Sequence, residues 1–198
     1  MLASVESLRR SLDRLGYGMS CMAGWLFVAC AFFVSFDVIS RKFFGFSSQA
    51  TVELTGYMLA CGIAWGLAGA LTTRSHIRVD LLVMRLPPRV RVYMHALALA
   101  FLTVLNFFLV WRCWAVVNDA WLFGARDSSA IRTPLIIPQG LWAFGITVFS
   151  LLAVVLLVEV ILLLVLGRGE RVDRLLGPRS LEEETAEALE AAGMARRS

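Results

Sequence analysis

Few ionisable side chains stand within or beside the apolar stretches of this 198-residue chain, and those few are the ones able to do chemistry. Asp37 and Arg41 are four residues apart, on one face of a helix. Glu53 opens the next apolar stretch, where a carboxylate suits the positive end of a helix dipole and antiparallel packing brings it near Arg41. Such a cluster can clasp a hairpin, meet a neighbouring subunit, or hold a proton or ion. Its place at one edge of the spans favours the first two, because transport sites lie near mid-membrane. Glu159 differs, with apolar neighbours on both sides. A carboxylate so placed either faces a protein partner or stays protonated, and it is the best candidate for autonomous proton coupling. His76 and Asp80, four apart, have the form of half a metal site. The chain has only one other histidine, His95, and no H-E-x-x-H or cysteine cluster, so a local hydrogen bond is the expected role. Axial histidines for haem and protease-like serine or paired-aspartate motifs are missing too. No metal, cofactor or enzymatic activity is expected.

The elements that must carry these residues are uncharged runs at 15–36, 54–73, 92–111 and 133–158. Each has the ~20 residues a helix needs to cross the ~30 Å hydrocarbon core, and only a helix crosses without stranding backbone polar groups. A mean hydropathy of +0.73 agrees. The expected fold is an all-α membrane protein with spans at about 17–40, 52–73, 91–118 and 136–166. Two short amphipathic interfacial helices are expected, one within residues 1–16 and one at about 77–86. The second stops at Pro87-Pro88. Residues 168–198 form a polar tail, whose acidic part around Ser180 and Glu183 resembles a capping box. The first run is longer than a secretory signal and is followed by Asp37, Arg41 and Lys42, so a retained anchor is expected.

The net charge of +4 does not imply nucleic acid, because the basic residues alternate between segments. With the N-terminus inside, 14 of the 19 lie in cytoplasmic segments, which predicts both termini inside. Trp111, Trp114, Trp121 and Trp142 fall toward the outer ends of the third and fourth spans, as an interfacial belt does. Cys21, Cys30, Cys61 and Cys113 form no C-x-x-C and read as packing residues. In the second span Gly62 and Gly66 make a G-x-x-x-G, which serves close packing either inside the bundle or against another protein.

Three segments, in order, resemble the small membrane subunit of tripartite ATP-independent periplasmic (TRAP) transporters, the DctQ-like family. They are DVISRKFFGFSSQATVEL at 37–54, HIRVDLL at 76–82 with Pro87 after it, and TPLIIP at 133–138, where Pro134 and Pro138 open the fourth span. Two positions depart from the family pattern: Ala50 and Thr51 stand where an aromatic is common, and the tryptophan expected soon after the proline is displaced to Trp142. The resemblance implies a four-helix subunit of the bacterial inner membrane. It would act as a scaffold beside a large subunit that carries the substrate and ion sites, with a periplasmic binding protein delivering solute. Membrane lipids are the remaining partner. The alternatives from the residues are a self-sufficient carrier or channel using Glu159, and a membrane anchor for an enzyme complex.

Overall fold

A computed structural model describes residues 2–45, 50–73, 87–128 and 131–176, together with Thr185 and Leu189. The described residues form helices α1 (Leu2–Phe44), α2 (Ala50–Thr72), α3 (Pro88–Leu122), α4 (Ile136–Val165) and the short α5 (Gly169–Leu176). The first four are long and apolar enough to cross a membrane. The protein is thus an all-α membrane protein with four transmembrane helices. The expected helix at 77–86, the His76–Asp80 motif within the second connection, and most of the acidic tail lie outside the described residues.

The N-terminal amphipathic segment is not a separate element. It runs into the first span as one helix of 43 residues, about 64 Å at 1.5 Å per residue. Gly16, within this helix, lets α1 approach α2: a Cβ there would sit 3.4 Å from the Ala68 carbonyl oxygen. Among the described residues, the short amphipathic helix outside the spans is α5, at the start of what reads as a polar tail. Its Val172 and Leu176 are buried in the main core cluster.

Helix α4 is central. It packs against α1, α2, α3 and α5, while α3 packs against α4 and α5. Half of α4's most apolar window is buried inside the chain (50%), against 17% in α1 and in α3. The outer two helices therefore present most of their apolar surface outward, as lipid or a partner requires. Lipid is as apolar as leucine, so close backbone approach rather than burial from water holds such helices together. Two glycines make it possible here. A Cβ on Gly69 would come within 2.4 Å of Ser20 Cβ on α1, and one on Gly145 within 2.5 Å of the Trp65 ring. The G-x-x-x-G divides. Gly62 lies under the Phe27 ring, 3.0 Å from a would-be Cβ, whereas a Cβ on Gly66 would meet nothing within 4 Å.

Helices α3 and α4 end alike. The amide of Ala125 donates to Ala120 O at 2.9 Å and that of Arg168 to Leu163 O at 2.9 Å. Gly124 and Gly167 supply the positive φ that this closure needs, at +55° and +68°. The first closure starts the α3–α4 loop, and the second turns the chain into α5 beside the end of α4.

Candidate functional site

The ionisable groups gather at the two ends of the bundle. At the end holding the α1–α2 connection, the Arg41 guanidinium donates from Nη2 to Asp37 Oδ2 at 2.7 Å, one helical turn away. Asp37 is buried (4% exposed) while the Arg41 side chain is largely exposed, so the pair presents its cationic side outward. Glu53 is buried in the first turn of α2. Its carboxylate accepts the Tyr57 hydroxyl at 3.0 Å. Asp37 and Arg41 thus pair along α1, while Glu53 also takes part in a second cluster that reaches toward the α3–α4 loop.

The second cluster extends to a residue that sequence reasoning missed. The Tyr57 hydroxyl also lies 2.6 Å from Asp127 Oδ2, in the α3–α4 loop. A phenol carries one proton, so it donates to one carboxylate at a time; donated to Asp127, it links α2 to the α3–α4 loop. The loop is held at its own base. Asp127 N donates to Thr133 O at 3.0 Å and Leu135 N to Ala125 O at 3.0 Å, with an antiparallel bridge between Arg126 and Pro134. This gives TPLIIP its job. Pro134 sits in the bridge. Pro138 falls in the first turn of α4, where its missing N–H costs no helical bond, and its carbonyl faces the Cys61 thiol at 3.8 Å. Trp65 Nε1 donates to Leu141 O at 2.9 Å one turn further along. The signal for Asp127 was an acidic residue between the turn glycine Gly124 and the proline motif; nothing local pointed to Tyr57, 70 residues earlier.

At the opposite end Glu159 is fully buried, and its Oε2 accepts from Arg9 Nε at 2.7 Å. Neither of the alternatives drawn from sequence, an external partner or a retained proton, included this internal cation. Arg9 also donates from Nη1 to Asp13 at 2.9 Å. A cavity of about 120 Å³ beside the pair is lined by Arg9, Asp13, Leu71, Thr72 and residues of α4 and α5. Leu71 and Thr72 end α2, a helix of 23 residues and so about 34 Å long, close to the hydrocarbon thickness. Glu159 is thus buried in protein and paired with Arg9, which lines this cavity together with the last residues of α2.

Helix α5 is pinned at this end by residues the sequence did not single out. Arg91 at the start of α3 grips Asp173 with both arms of its guanidinium, Nε to Oδ1 at 2.8 Å and Nη2 to Oδ2. The buried His95 lies 4.0 Å from Asp173, and Arg171 lies 3.9 Å from Glu6 on α1. Among the described residues, buried polar and charged groups away from these ends reduce to Asn106 in α3. No three His, Cys, Asp or Glu of the described residues are grouped to hold a metal, and the four cysteines are free thiols.

The arrangement is four unbroken helices braced by ion pairs at both ends, with little polar chemistry between. No curated protein and no solved structure matches the chain. A family does: the tripartite ATP-independent periplasmic transporters, DctQ component, matches residues 28–164, well over half of the sequence, from partway along α1 to the end of α4. The chain therefore belongs to the DctQ family of TRAP transporter membrane components.

Proposed function

We propose that this protein is the scaffold subunit of a TRAP-type solute transporter, a fixed wall beside a larger membrane subunit that carries substrate and coupling ion. The observation that carries this reading is the placing of charge. Ion pairs brace both ends, the helices run unbroken between them, and the single carboxylate within the fourth span already has its cation in Arg9. Transport sites are usually built from broken helices and polar groups at the midplane. The family supports the same reading: it is one component of a tripartite system, and a second membrane subunit and a periplasmic binding protein complete the set. The bacterial inner membrane is its place, with both termini cytoplasmic and uptake driven by an ion gradient. Outward-facing Arg41 and the Glu53–Tyr57–Asp127 brace lie at the periplasmic end.

Purification and reconstitution test this. A larger hydrophobic protein should co-purify, and the chain alone should give no uptake in proteoliposomes. Uptake by the chain alone that Glu159→Gln abolishes would establish the carrier reading in its place, and a cofactor-bearing soluble partner the anchor reading. In the complete transporter, Arg41→Ala or Glu53→Ala should weaken assembly or uptake with substrate preference unchanged. A changed substrate profile with intact assembly contradicts the scaffold role.

A further inference from the structure

An open apolar groove of about 640 Å³ runs between α1, α2 and α4, floored by Met22, Trp25, Ala29, Leu54, Ile137 and Leu141 among others. Along α2 it extends from Leu54 to Trp65, about 16 Å of helix rise. That is half the ~30 Å hydrocarbon core, the depth of a single leaflet. Its upper rim is the α3–α4 loop, through Thr133. Arg132 precedes Thr133, and the 3.0 Å bond from Asp127 N to Thr133 O brings Arg126 alongside. Both arginines are exposed, and neither has a salt bridge among the described residues. The nearby carboxylate of Asp127 is already engaged by Tyr57 on α2. A leaflet-deep apolar slot is thus rimmed by a loop that carries two exposed arginines with no salt bridge among the described residues.

We propose that this groove binds one anionic phospholipid, its acyl chain along the α1–α2–α4 floor and its phosphate at Arg126 and Arg132. The charge at the rim selects the headgroup and the slot selects the chain. The inference holds whichever way the protein faces in the membrane.

Native mass spectrometry of the purified full chain, offered phosphatidylglycerol or phosphatidylcholine of the same acyl composition, tests it. Phosphatidylglycerol should be retained as a single adduct, favoured by about tenfold over phosphatidylcholine. Arg126→Gln with Arg132→Gln should bring the two lipids level, and Ala29→Trp, which fills the floor, should reduce retention of both. Circular dichroism confirms that each variant keeps its helices. Because the arginines are exposed loop residues, the double variant remains informative even if Ala29→Trp fails to fold. Equal retention of the two lipids by the unaltered protein overturns the proposal, as does a phosphatidylglycerol preference that survives the double substitution.

Discussion

Arg9 and Glu159 stand 150 residues apart in the chain and 2.7 Å apart in space. Taking one partner from a buried pair costs far more than the pair contributes, because the other charge is left without compensation. Arg9→Ala should therefore lower unfolding stability by about 3 kcal/mol in detergent. Adding Glu159→Gln to that variant should recover most of the loss, which a double-mutant cycle measures. The Tyr57 hydroxyl makes a comparable link at the other end, joining α2 to the α3–α4 loop. Tyr57→Phe should cost about 1–3 kcal/mol and speed amide exchange at Asp127 and Leu135, the two amides that close the loop. Unchanged exchange there would mean the loop holds itself.

Among the elements, the contact between α1 and α2 depends on small residues at a spacing the sequence only half displays. Gly62 and Gly69, seven apart and so near one face of α2, receive Phe27 and Ser20 of α1, whereas Gly66 in the recognisable motif meets open space. Gly69→Val should destabilise the isolated subunit by about 1–3 kcal/mol through overpacking. Gly66→Val should stay within about 0.5 kcal/mol. If Gly66→Val proves as damaging as Gly69→Val in the isolated subunit, this account of the α1–α2 packing is wrong. An effect of Gly66→Val that appears only in the assembled transporter marks that side of α2 as a partner contact.

At the scale of the whole molecule, the ion pairs of α1 with α4 and α5 hold the start of α1 and the end of the last described helix at the same end of the bundle. Tags on the two termini should accordingly respond alike to protease added to one face of the membrane. The basic-residue bias predicts that both are protected from the periplasmic side. Digestion of one tag but not the other contradicts the fold as well as the orientation.

The number of spans, their approximate places and the family were legible in the sequence by itself. A bilayer demands a fixed length of apolar helix, which is a local property, and the motifs at 37–54 and 133–138 are local strings. That the N-terminal segment continues into the first span was not legible there, since the Gly16 that packs against Ala68 lies within one unbroken helix. Tertiary structure alone decided the partners. Between elements, Arg9 on α1 neutralises Glu159 on α4, Tyr57 on α2 meets Asp127 in the α3–α4 loop, and Asp173 fastens α5 to Arg91. Several cations near each end could have met each carboxylate. The choice among them rests on distances between helices, which the depth of each helix and the close approach at Gly69 and Gly145 set, and no spacing along one helix contains it.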